Sequence, residues 1–120
     1  WPRHCVIGSD GAAFHAGLDL SRADLILRKG FRPGIDSYSA FFENDRSTAT
    51  GLAGYLRDRG LDDLHFVGLA QDFCVAWSAM DAVRLGFAAT VIETATRAID
   101  LDGSLQAARD AMRAAGVTLA

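Results

Sequence analysis

Apolar residues recur along this chain in two alternating rhythms. Short apolar runs at Asp24-Leu25-Ile26-Leu27-Arg28-Lys29, Leu64-His65-Phe66-Val67-Gly68-Leu69, Ala88-Ala89-Thr90-Val91-Ile92-Glu93 and Val117-Thr118-Leu119 predict buried strands. Between them the spacing becomes helical. Leu52, Tyr55 and Leu56 fall at i, i+3 and i+4 within residues 50–59. Val75, Ala79, Ala82 and Val83 share a face within 74–85, and Leu105, Ala108 and Met112 do so within 104–115. Each helical stretch runs into a glycine, at Gly60, Gly86 and Gly116, a residue that accepts the left-handed conformation closing a helix C-terminus. Strand, helix, glycine and strand in repetition predict an α/β fold, a three-layer parallel sheet with crossover helices in the Rossmann-like manner.

Two segments break this rhythm. Residues 1–23 show no clear period, and residues 30–47 make an unusually long connection, of a length more often functional than idle. The 120 residues are 50% hydrophobic, which fits one globular domain at most. No run approaches the ~18 apolar residues of a membrane span, so a membrane partner is not expected. Twelve basic against fifteen acidic residues, net −3, with no basic block, exclude a nucleic-acid partner from the expectations. Two cysteines are too few for a disulfide scaffold and suit a reducing compartment, the cytoplasm. The chain opens on Trp1 without an initiator Met, so it is expected to begin partway through a longer protein or to be processed.

In open α/β sheets, sites gather beyond the carboxyl ends of the strands. Lys29 closes one predicted strand there, and Cys74 follows another at the turn from strand into helix. A thiol in a first helical turn meets the positive end of the dipole, which stabilises the nucleophilic thiolate, and nearby amides can receive an oxyanion. Packing remains the alternative for Cys74, since free cysteines are among the most buried residues, and Lys29 is equally readable as a solvated charge. His4 is a candidate metal ligand, with Cys5 beside it read as a small buried neighbour. His15 and His65 are read as structural, one in a loop and one on a strand face.

Five segments, taken in order, resemble nicotinamidases (pyrazinamidases), which are isochorismatase-like cysteine hydrolases. They are Trp1-Pro2-Arg3-His4-Cys5-Val6, Gly11-Ala12-Ala13-Phe14-His15, Arg28-Lys29-Gly30, Asp36-Ser37-Tyr38-Ser39-Ala40-Phe41-Phe42 and Gly68-Leu69-Ala70-Gln71-Asp72-Phe73-Cys74-Val75. The Cys74 segment marks the superfamily, and the opening segment the metal-containing branch. The resemblance implies nicotinamide as the small-molecule substrate, hydrolysed in NAD salvage through a thioester on Cys74. It implies Lys29 as the catalytic lysine, the amides of Ala70 and Cys74 as the oxyanion hole, and a cis bond between Leu69 and Ala70. It further implies a ring pocket bordered by Trp1, Tyr38, Leu69, Ala70 and Gln71. His4 would be one ligand of a divalent metal (zinc, iron or manganese), and relatives of this kind often assemble, which allows a homo-oligomer.

Two departures accompany the match. Gln71 stands where the family usually has Thr. The family's catalytic Asp, and the Asp and His that share the metal, come from an N-terminal strand not found among these residues. The expectation is therefore that residues 1–120 form the C-terminal portion of a single isochorismatase-like domain, incomplete at its N-terminus, with apolar sheet faces exposed and no activity of its own. Two alternatives stand beside it: another small-amide hydrolase of the superfamily, and a non-catalytic piece completed by another chain.

Overall fold

A computed structural model describes residues 1–120. The regular elements are α1 (Leu52–Asp58), β1 (Asp63–Leu69), α2 (Ala76–Arg84), β2 (Ala88–Arg97), α3 (Ser104–Ala115) and β3 (Thr118–Leu119). A 3-10 turn occupies Asp10–Ala12, and a π-turn at Gln71–Val75 joins β1 to α2. The strands form one parallel sheet in the order β1-β2-β3. The α/β class expected from the alternation is the one found.

Register explains where the core sits. Leu64 pairs with Ala89 and Phe66 with Val91, so these four share one side of the sheet. On that side α2 brings Ala76, Ala79 and Ala82 and α3 brings Met112, all at or near zero exposure, around Val91. Small residues on α2 let that helix approach the sheet closely, while Met112, flexible and polarisable, fills the remaining space. The opposite side, with Val67 and Leu69, is open, at 59% and 73% exposure. Of the three layers expected, the helices of this chain supply the one that packs on Ala89 and Val91.

Helix ends follow the glycine signals. Gly86 and Gly116 have φ of 92° and 93°, and the Gly116 amide donates to the Arg113 carbonyl. These are left-handed closures that a Cβ would strain.

Two expectations are corrected. The segment Asp24 to Lys29 forms no ladder, and Leu25 and Ile26 are 41% and 52% exposed. An apolar run becomes a strand only beside a partner edge, and neither edge of the β1-β2-β3 sheet lies alongside it. Cys5, expected to be buried, is exposed and has φ of 47°. It lies in the first 36 residues, none of which is buried, so no core is available to receive the thiol.

Past the carboxyl end of β1, Asp72 fixes the approach to α3. Its buried carboxylate accepts hydrogen bonds from the amides of Ile99 (3.1 Å) and Asp100 (2.8 Å) and from the Ser104 hydroxyl (2.6 Å). Burial by itself raises the carboxyl, but these donors outweigh it and hold the group below its ordinary value of 3.8. A depressed folded value means that the stabilisation is present above pH 3.8 and is lost as pH falls through the folded value. Replacing Asp72 by Asn should cost about 2 kcal/mol at neutral pH, the usual scale for hydrogen bonds to a charged group. Denaturant unfolding at neutral and at strongly acidic pH should show the gap between parent and variant closing in acid.

Candidate active site

The turn carrying Cys74 is built from both ends. Ala70 is extended (φ −94°, ψ 143°), and its carbonyl accepts the amides of Phe73 and Val75, which winds the chain into the π-turn. The Leu69–Ala70 bond is cis, as the resemblance implies. The amides of Ala70 and Cys74, the expected oxyanion donors, bracket the start of this turn. On the far side, Ser78 lies one helical turn beyond Cys74. Its hydroxyl donates to the Cys74 carbonyl (2.6 Å) and accepts the Ala40 amide (2.9 Å). One buried hydroxyl therefore joins the cysteine's backbone to the long loop.

That loop, residues 30–47, is folded rather than slack. Ser37, Ser39, Phe41 and Glu43 are buried. The Asn44 side-chain oxygen accepts the Tyr38 amide (2.9 Å), the Asn44 amide donates to the Asp36 carbonyl, and the Thr50 hydroxyl donates to the Ala40 carbonyl. Lys29 enters from the unpaired segment that precedes the loop. Its Nζ donates to the Ser37 carbonyl and lies 3.8 Å from Cys74 Sγ, within reach of a hydrogen bond to sulfur. Lysine and cysteine, 45 positions apart in sequence, thus meet because one loop carbonyl holds the ammonium beside the turn. A cation there stabilises a thiolate, since opposite charges a few ångströms apart attract strongly at a half-buried site.

Aromatic rings border the same point. Trp1 Nε1 donates to the Tyr38 hydroxyl (2.9 Å). Phe73 packs edge-on against Trp1 at 5.3 Å and against Tyr38 at 5.8 Å, and Trp77 packs edge-on against Tyr38 at 5.3 Å. Trp1 and Tyr38 are therefore brought together, as expected. Phe73 and Trp77 were not singled out from sequence, although their positions beside Cys74 and one helical turn after Phe73 carried the signal. Ser78 and Asn44 had no signal beyond polarity.

Gln71 differs from its expected place at the ring pocket. It is 4% exposed, its Nε2 donates to Glu93 Oε1 (2.7 Å), and its Oε1 accepts the Thr96 hydroxyl (3.0 Å), so both polar ends are engaged within the protein. His4 is exposed, with Nδ1 2.6 Å from the Pro2 carbonyl. That oxygen only accepts, so Nδ1 carries the proton and Nε2 presents the lone pair a metal would need. No group of three His, Cys, Asp or Glu side chains gathers in the structure. The residues of this chain alone therefore do not fit a metal centre. His15 accepts the Gly17 amide in a loop, and His65 lies exposed on β1.

Two cavities, of about 290 and 270 Å³, lie elsewhere, one beside Trp77, Met80 and Arg84 and one beside Arg57, Leu61 and Phe87. Neither contains Cys74 or Lys29. No helix is long and apolar enough to cross a membrane.

Comparison with known proteins places this geometry. The family described as the isochorismatase domain matches residues 1–120. A nicotinamidase of Acinetobacter baylyi is 57% identical over 117 residues, covering 98% of this chain and 55% of that protein. The structure of PnC1 from L. infantum in complex with nicotinate superposes with a TM-score of 0.95 at 44% identity, over all of this chain and 60% of that one. A pyrazinamidase of Pyrococcus horikoshii in complex with zinc superposes with a TM-score of 0.84 at 31% identity, over all of this chain and 62% of that one. The chain spans about half the length of the curated relatives it matches.

Replacing Ser78 by Ala leaves the Ala40 amide and the Cys74 carbonyl without their shared partner. It should lower stability by about 1–3 kcal/mol, the cost of unsatisfied buried groups, as a shift in denaturation midpoint would show.

Proposed function

Because this chain belongs to the isochorismatase-domain family, we propose that the protein hydrolyses nicotinamide to nicotinate and ammonia, in NAD salvage, with Cys74 as nucleophile. One observation carries this reading: Lys29 Nζ stands 3.8 Å from Cys74 Sγ, next to the Trp1, Phe73 and Tyr38 rings. The names of the similar proteins, and the nicotinate bound to one of them, support the substrate.

The chemistry follows from the groups present. Sγ, as the thiolate stabilised by Lys29, adds to the carboxamide carbon. The oxygen takes the negative charge towards the amides of Ala70 and Cys74. The carbon–nitrogen bond then breaks, and the nitrogen leaves as ammonia after gaining a proton. Water adds to the thioester, and breaking the carbon–sulfur bond releases nicotinate and restores the thiol. Trp1, Tyr38 and Phe73 offer flat apolar faces to a heteroaromatic ring, with the backbone of Leu69 and Ala70 alongside. Lys29 is the one ionisable side chain that reaches Sγ. The resemblance also implies an aspartate as proton carrier.

His4 is the one ligand that this chain offers a divalent metal such as zinc, iron or manganese. A complete set would require further ligands, so no step is routed through a metal. Gln71, which stands where the family usually has Thr, has its side chain turned into the Glu93 and Thr96 contacts.

In protein expressed from the complete reading frame, Cys74→Ala should reduce ammonia release from nicotinamide to background. Turnover at the parent rate would overturn the assignment. Tyr38→Phe keeps the ring and removes the bond from Trp1, and should raise KM for nicotinamide roughly threefold while kcat stays within about twofold, the scale of one neutral hydrogen bond in binding. Steady-state kinetics on both variants separate the two roles.

A further inference from the structure

The carboxamide of Gln71 sits at the first position of the π-turn, three residues before Cys74, and is almost fully buried. Its surroundings fix its orientation. A carboxylate can only accept, so the amide nitrogen must face Glu93 Oε1, at 2.7 Å. The amide oxygen thereby faces the Thr96 hydroxyl, at 3.0 Å, whose single proton it shares with the Glu93 carbonyl, at 2.9 Å. Glu93 Oε1 also accepts Arg109 Nε from α3, again at 2.7 Å. Three separate pieces of chain (the turn, the distal part of β2 and the middle of α3) therefore converge on one carboxylate oxygen.

We infer that Gln71, held by Glu93 and through it by Arg109, is a positioning residue that sets where the Cys74 sulfur stands. The inference rests on Cys74 being the nucleophile, as proposed above. Two features favour a positioning role over simple packing. Both ends of the Gln71 amide are fixed, so the turn cannot rotate about its first residue without breaking a bond to a charged group. Such bonds are roughly twice as strong as neutral ones. The Arg109 hydrogen bond, followed by that from Gln71, also holds the Glu93 carboxyl below its ordinary value of 4.5, so the acceptor remains charged at neutral pH. The network touches none of Lys29, Ser37, Trp1 or Tyr38 among its hydrogen bonds. It therefore acts on the sulfur through the turn and leaves the lysine and the ring contacts alone.

The test uses protein from the complete reading frame and two readouts: the rate at which iodoacetamide alkylates the Cys74 peptide, followed by mass spectrometry, and steady-state hydrolysis of nicotinamide. Gln71→Leu, which removes the amide, and Gln71→Glu, which sets a second carboxylate against Glu93, should each slow Cys74 alkylation about tenfold, within the range that small misplacements of a reacting group produce. Each should lower kcat by a similar factor and leave KM within about twofold. The exchanged pair, Gln71→Glu with Glu93→Gln, restores a donor facing an acceptor and keeps an oxygen for Arg109. It should recover most of both rates. An unchanged alkylation rate beside a lowered unfolding midpoint makes the network merely structural and overturns the inference. So does an exchanged pair that is alkylated no faster than the single variants. Parent protein that is alkylated at Cys74 but leaves nicotinamide intact would sink the proposed function, while the alkylation comparison would still decide the role of Gln71.

Discussion

The Asp72 carboxylate accepts two amides from the segment between β2 and α3 and a hydroxyl from the first residue of α3, and much of the surrounding structure depends on this cluster. A strand that ends at Leu69 must give way to a helix that starts at Ala76, and the π-turn between them, closed on the Ala70 carbonyl, must be tied to the rest of the fold. Side chains at 71 and 72 take up that task. Gln71 ties the turn to β2 and α3, and Asp72 ties it to the chain entering α3. With the start of the turn fastened at 71 and 72 and the Ser78 hydroxyl bonded to its carbonyl, Cys74 is carried between two anchors. A buried carboxylate is costly to place, and its three donors make the position tolerable. The same donors make it sharply directional.

The parts legible in the sequence were those with local causes. Helix faces at Val75, Ala79 and Ala82 and at Met112 were visible because periodicity reports burial directly, and the glycines at 86 and 116 because only their conformation closes those helices. The residues beside Cys74 were visible through family resemblance, and Trp1, Tyr38, Lys29 and Cys74 do come together. What could not be read has a common origin in partners distant along the chain. Glu93 at the end of an apolar run and Arg109 on a helix face both look like solvated charges until the fold brings Arg109 and Gln71 onto the same Glu93 oxygen. The run at Leu25 and Ile26 looked like a strand because hydropathy reports a preference for burial and carries no information on whether an edge is at hand to pair with. Cys5 failed for a related reason, since a small apolar residue is buried only where there is a core to enter.

The site is assembled from two kinds of structure. Cys74 and Phe73 sit on the side built by β1, the π-turn and α2, whose helix and sheet faces form the core. Trp1 and Lys29 come from the first 36 residues, where nothing is buried, and each is held mainly by a contact with the loop that follows. That loop joins the two kinds of structure. Ser37 offers the carbonyl that receives Lys29, and Tyr38 offers the hydroxyl that receives Trp1. Asn44 and Ser78 fasten the loop to itself and to the cysteine's own backbone. A displacement of the loop would therefore move the cation and the aromatic wall together, relative to a sulfur that stays with the core. Single hydrogen bonds of this kind are each worth about 1 kcal/mol in stability, yet here they decide whether charge and nucleophile lie within reach. The same loop places Phe41 in the core against Phe87, so residues 36–44 serve folding and the site together, with Phe41 held by the core and Lys29 and Trp1 held in turn by Ser37 and Tyr38.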